Sequence, residues 1–227
     1  MIETPLILEI GFGLLTAITI AGIFRATKST FILNAFITIA IYSALLADYG
    51  FFNQPEAFPP RLPFVVLPAL ILIVWLFLTK KGGRILDQMD MKAMTYVHTV
   101  RVPVELTIFA LFTYGLMPES MTFEGRNWDV LSGLTAPFIA YFGYQQKRLP
   151  KWVLVSWNAL CLALVLQVVL TGVLAAPSVM QQLDFDQPNV AVLLFPYVWL
   201  PAIVVPVVVI GHLAALRRFY KSTNPHK

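Results

Sequence analysis

Residues 151–173 read KWVLVSWNALCLALVLQVVLTGV, with one charge, Lys151, at the very start. About 20 apolar residues in a row are what a helix needs to cross the hydrocarbon core of a bilayer. A soluble helix would alternate an apolar stripe with a polar face, and this stretch has no polar face. Outward from it, the same pattern recurs at roughly 5–24, 29–49, 63–79, 94–116, 130–146 and 191–216, the third and fifth in chain order being the shortest. Of the 227 residues, 58% are hydrophobic and 12% are charged. Soluble domains carry about 25% charged residues, so lipid is the expected solvent for most of this chain. The fold class read from these patterns is an all-α bundle of seven transmembrane helices.

The linkers fix an orientation. Thirteen of the 16 Lys and Arg residues fall in alternate linkers: Arg25 and Lys28; Lys80, Lys81, Arg84 and Lys92; Lys147, Arg148 and Lys151; Arg217, Arg218, Lys221 and Lys227. The opposite linkers hold only Arg61 and Arg126, and Arg101 lies within a span. Basic linkers stay in the cytoplasm, which predicts an outside N-terminus, a cytoplasmic C-terminus and a plasma-membrane location of bacterial inner-membrane type. Most acidic residues mirror this, with Glu3, Glu9, Asp48, Glu56, Glu119, Glu124, Asp129, Asp184 and Asp186 toward the outer side. The net charge of +4 is therefore a topology signal, and no nucleic-acid partner is expected. The single cysteine, Cys161, excludes an internal disulfide. The acidic start Met1-Ile2-Glu3 lacks the basic region of a signal peptide.

The third stretch begins Pro63-Phe64-Val65-Val66-Leu67-Pro68-Ala69-Leu70 and the seventh contains Pro196-Tyr197-Val198-Trp199-Leu200-Pro201-Ala202-Ile203, identical at five of eight positions. Leu15-Thr16-Ala17 pairs with Leu134-Thr135-Ala136, and Asn34-Ala35 with Asn158-Ala159, at offsets growing from 119 to 124 to 133. A parallel repeat is expected, with residues 1–83 as one triplet, 129–227 as the other and 84–128 as a connector, all in a single transmembrane domain. This 3+1+3 plan resembles the sugar and amino-acid transporters of the SWEET and PQ-loop type. Those families carry a Pro-Gln dipeptide that is absent here, so the resemblance transfers no substrate residue.

Ionisable residues inside a span are costly and are functional candidates by default. His98, Arg101 and Glu105 fall within an arc of about 60° on the fourth helix at 100° per residue. Two readings are open: an Arg101–Glu105 ion pair at i,i+4 spacing, or a substrate clamp and proton relay. His212, Asn34 and Asn158 lie at comparable depths on other spans, and with His98 they suggest a polar layer in the inner half. Pro68, Pro201 and Pro103 are candidate kinks or hinges, because an intrahelical proline frees a carbonyl. The outer loop with Glu124, Arg126 and Asp129 is a candidate lid or external site.

These residues favour a small-solute or proton-coupled transporter whose partners are the bilayer and a small-molecule or ion substrate; a homo-oligomer is compatible with them. No cofactor or metal is expected: a zinc hydrolase needs about three histidine ligands, and only His98 and His212 lie in spans, with His226 in the tail. An intramembrane enzyme acting on a lipid or isoprenoid is the alternative, since Pro103-Val104-Glu105 is similar to part of the Pro-x-Glu-Glu motif of membrane lycopene cyclases, although Leu106 replaces the second acid. The topology also looks like that of microbial rhodopsins, but the seventh stretch has no lysine for a Schiff base. A receptor, or a haem held by His98 and His212, completes the alternatives.

Overall fold

Prolines decide where the helices start and break. The structure, a computed structural model, describes residues 4–223; Met1-Ile2-Glu3, His226 and Lys227 lie outside the described residues. Pro63 opens a helix at its first position, where its missing N–H costs nothing. The expected continuous helix from 191 is corrected: a single 3-10 turn at Ala191–Leu193 is followed by irregular backbone, and the long helix begins at Leu200. Proline disfavours helical geometry in the residue before it, so Phe195 cannot carry a helix through Pro196. Pro201 then occupies the harmless first turn, and Pro196 sits in the irregular segment ahead of it.

The order is α1 (Leu6–Thr27), α2 (Thr30–Asp48), α3 (Pro63–Leu78), α4 (Lys80–Gln88), α5 (Met91–Val97), a 3-10 turn at His98–Val100, α6 (Arg101–Thr113), a 3-10 turn at Glu119–Met121, α7 (Val130–Phe138) continuing as a π-helix at Ile139–Gln145, α8 (Lys151–Ala175), a 3-10 turn at Ala191–Leu193, and a π-helical Leu200–Val204 leading into α9 (Val205–Thr223). No strand occurs among the described residues. The 3-10 turn has a local cause. Pro103 has no N–H to give the Thr99 carbonyl, and its ring crowds that carbonyl, so the turn tightens just before it. Pro68 lies inside α3, where the carbonyl it frees, that of Phe64, accepts from the Tyr42 hydroxyl at 3.3 Å.

Four helices are long and apolar enough to cross a membrane: Leu6–Thr27, Thr30–Asp48, Lys151–Ala175 and Leu200–Ser222. Pro63–Leu78 and Lys80–Gln88 form a further candidate bent by 86°. The outward faces of these helices are as apolar as their inward ones: Ile7 is 82% exposed, Leu45 65% and Leu170 61%. Water would reject such a surface; hydrocarbon accepts it. One hydrophobic core runs through the bundle from Phe12 to Ala215.

The four basic segments gather at one end. The Asp90 N–H donates to the Ala26 carbonyl (2.8 Å), Arg217 and Lys221 both bond Asp87, and the Lys151 ammonium donates to Ser222 at 2.8 Å. The opposite end joins Tyr197 to Thr4 (3.0 Å), Gln187 to the carbonyls of Phe112 and Met117, and Ser120 to Asp184 (2.6 Å). The segment at 117–129 does not stay on the surface. Met117, Met121, Thr122, Asn127 and Asp129 are buried. The helix that follows, Val130–Phe138 with its π-helical end at Gln145, starts directly after buried Asp129.

Candidate functional site

Glycines set the approach of the helices that carry the polar groups. A Cβ on Gly133 would meet the Val102 backbone nitrogen at 2.9 Å and the Arg101 Cβ at 3.1 Å. Its absence lets α7 lie against α6 and brings Asp129, one turn earlier, onto Arg101. A Cβ on Gly211 would meet the His98 Nε2 at 2.9 Å, so α9 can carry His212 directly over His98.

Arg101 is the hub. Its Nε donates to Asp129 Oδ2 at 2.6 Å, and its Nη2 donates to Asp129 Oδ1 and, at 3.2 Å, to the Cys161 carbonyl. Its Nη1 meets His212 Nε2 at 3.0 Å. A guanidinium can only donate, so His212 Nε2 must accept. That fixes His212 as the neutral tautomer with the proton on Nδ1, which donates to Asn158 Oδ1 at 3.0 Å. Asn158 Nδ2 in turn donates to the Leu154 carbonyl at 2.8 Å. Above Arg101, the Asp129 N–H donates to Asn127 Oδ1 at 2.9 Å, and Asn127 Nδ2 donates to Glu105 Oε2 at 2.7 Å. Every side chain in this column is at most 7% exposed. Charges this deep persist only when paired and hydrogen-bonded.

Several sequence-based expectations change. Arg101 does not pair with Glu105 at i,i+4: its ion-pair partner is Asp129, and Glu105 is held by an amide. Asp129, expected in an outer lid, belongs to the column, whereas Glu124 and Arg126 are exposed on the outer loop. Asn158 is buried but Asn34 faces outward, so the two do not share a cavity. Helix α2 turns Ile32, Phe36 and Ile39 inward and leaves Asn34 on the opposite face. Of the four residues expected in one polar layer, His98, His212 and Asn158 come together and Asn34 stays apart. His98 stacks on His212 with ring centroids 4.0 Å apart and planes 17° apart, with Trp157 edge-on at 5.7 Å. Face-to-face rings leave no gap for a haem between their nitrogens.

Of the kink candidates, Pro68 has its freed carbonyl satisfied by Tyr42, Pro201 lies in π-helical backbone, and Pro103 sits just beyond the 3-10 turn that carries His98. Asn127 and Trp157 were not foreseen. Asn127 stands in a charge-dense loop, and no spacing or hydropathy pattern marks it out there. Among the described residues no group of three or more His, Cys, Asp and Glu side chains is arranged to hold a metal.

Beside the column lies a cavity of about 330 Å³ walled by α3, α6, α8 and α9, with Arg101, Glu105 and Asp129 at its edge. That volume is within the range of small-molecule sites, about 300–1,000 Å³. No curated protein and no solved structure matches the chain. One family does, over residues 59–220, a region that contains the whole column from His98 to His212 and most of the walls of the cavity; the chain belongs to DUF8737, a domain of unknown function.

Proposed function

We propose that this protein is a seven-span plasma-membrane transporter that binds a small solute at the Arg101–Glu105 column and couples its passage to protons. The observation that carries the reading is a continuous line of buried polar groups, Glu105–Asn127–Asp129–Arg101–His212–Asn158, bordering a cavity of ligand size. Intramembrane ionisable groups that face a cavity are the usual marks of a solute or proton path. The column has a titratable carboxyl at one end and the His212 imidazole near the other, with His98 stacked on it; such groups exchange protons.

The topology belongs to the same proposal: N-terminus outside, C-terminus cytoplasmic, and two triplets joined by the helix from Met91 to Thr113, a plan like that of the SWEET and PQ-loop transporters. Support for the orientation comes from the clustering of the basic segments at one end. Support for the repeat comes from the five shared positions, and from the packing of α3 against the π-helical turn at Leu200–Val204.

The test uses proteoliposomes with an imposed inward proton gradient and a pooled metabolite mixture, uptake being read by mass spectrometry. Wild-type vesicles should accumulate a solute that protein-free vesicles do not, and Glu105→Gln should abolish that accumulation. Equal uptake by the wild type and Glu105→Gln would remove Glu105 from the mechanism.

A further inference from the structure

The walls of the cavity say what kind of solute it takes, an inference that rests on the column being a binding site. Apart from Arg101, Glu105, Asp129 and Asn189, the lining is wholly apolar. A sugar or amino acid placed there would bury several polar groups against valine and leucine with nothing to bond them. The lining includes Leu70 on α3 and Leu166 on α8, which are 53% and 50% exposed on the lateral surface of the bundle. The cavity therefore reaches the side of the protein that faces hydrocarbon, between two helices with apolar outer faces.

Its few polar atoms define the head of the ligand. Arg101 uses four of the five N–H donors of a guanidinium on Asp129, His212 and the Cys161 carbonyl. Its charge is already answered by Asp129, so no anionic ligand is required, and Glu105 would repel one. Glu105 lines the cavity and is engaged by Asn127 through Oε2, its other oxygen being free of that bond. Asn189, fully buried, donates through Nδ2 to the Gly172 carbonyl while its Oδ1 has no partner. An orphaned buried acceptor like the Asn189 oxygen calls for a donor from a ligand.

We propose that the ligand is a lipid-soluble molecule with an apolar body and a neutral hydroxyl head, taken laterally from the bilayer between α3 and α8. The hydroxyl donates to Glu105 Oε1 or Asn189 Oδ1, and its lone pairs meet the remaining N–H of Arg101. A pure hydrocarbon leaves those acceptors empty and binds less well.

The probe is a long-chain primary alcohol carrying a terminal diazirine, photolysed with the full-length protein in phosphatidylcholine nanodiscs. Label should map to peptides of α3 and α8, and excess dodecanol should displace it, while dodecane at the same mole fraction and glucose should not. Leu70→Trp and Leu166→Trp block the mouth from opposite sides and should each cut labelling severalfold; each sits on a lipid-facing position, so at least one should yield folded protein. Labelling that dodecane displaces as well as dodecanol, or that persists in both tryptophan variants, would overturn the inference. Glu105-dependent uptake of a polar solute without alcohol labelling sinks this inference and leaves transport standing. Saturable labelling with no Glu105-dependent uptake sinks transport and leaves the ligand class standing.

Discussion

Replacing Asp129 by Asn tests whether the buried ion pair is the keystone of the column. The pair is two-pronged, with Asp129 receiving both Nε and Nη2 of Arg101, and the two side chains are 7% and 2% exposed. An asparagine at this position could accept one of those bonds, but its amide nitrogen would then face a second guanidinium donor. Arg101 would keep its charge with no anion bonded to it, since Glu105 is held by Asn127. Breaking one side of a buried pair costs about 3–5 kcal/mol. At about 2–4 °C per kcal/mol for a chain of this length, Tm should fall by about 6–20 °C. The assay is thermal unfolding of detergent-purified protein followed by tryptophan fluorescence. The double replacement Arg101→Met with Asp129→Leu should recover most of the loss, because it removes both charges and fills the space with apolar atoms. Asp87→Asn is the control: its partner Arg217 and Asp87 itself are 22% and 44% exposed, and such pairs contribute about 0–1 kcal/mol. If Asp129→Asn melts within the range of that control, the pair does not hold the site together and the argument from burial is wrong.

Three further outcomes follow from the packing. Gly211→Val should destabilise by about 1–3 kcal/mol through overpacking, because its Cβ would lie 2.7 Å from the Met94 methyl and 2.9 Å from His98 Nε2; adding His98→Ala should recover part of this in chemical denaturation. Tyr42→Phe should cost about 1 kcal/mol by stranding the Phe64 carbonyl, and should be near neutral in a Pro68→Ala background, where residue 68 supplies the missing N–H. Partial burial of Asp87 pushes its carboxyl up, but bonds from Lys221 and Arg217 outweigh this and hold it below the ordinary value of 3.8. A depressed carboxyl contributes stability above its unfolded value and loses it as pH falls through the folded one; Asp87→Asn should therefore flatten the acid limb of the stability profile below 3.8 by a small amount, as expected for an exposed group.

Much of the helical architecture was legible because hydropathy is a local property. Each apolar run is long enough to declare itself, and six of the seven stretches became helix within a few residues of where the pattern placed them. The exception, 191–199, shows a local rule outranking composition: Phe195-Pro196 is as apolar as its neighbours, but proline geometry delays the helix to Leu200. The candidates His98, Arg101, Glu105, Asn158 and His212 were also readable, since charge or amide inside an apolar run stands out.

Partnership was not readable. Arg101 and Glu105 stand four apart on one helix, and sequence spacing favours pairing them. The structure gives Arg101 to Asp129, far along the chain, because Gly133 lets α7 close on α6. The expected repeat aligned Asn34 with Asn158, yet one faces out and the other bonds His212, a difference set by which face of each helix meets a neighbour. The sequence by itself determined the apolar helices and the residues too polar to be there idly, because both follow from the transfer of single side chains into hydrocarbon. Only the tertiary structure decided which of those residues bond one another and where a cavity remains, because both depend on distances between helices that no single helix encodes.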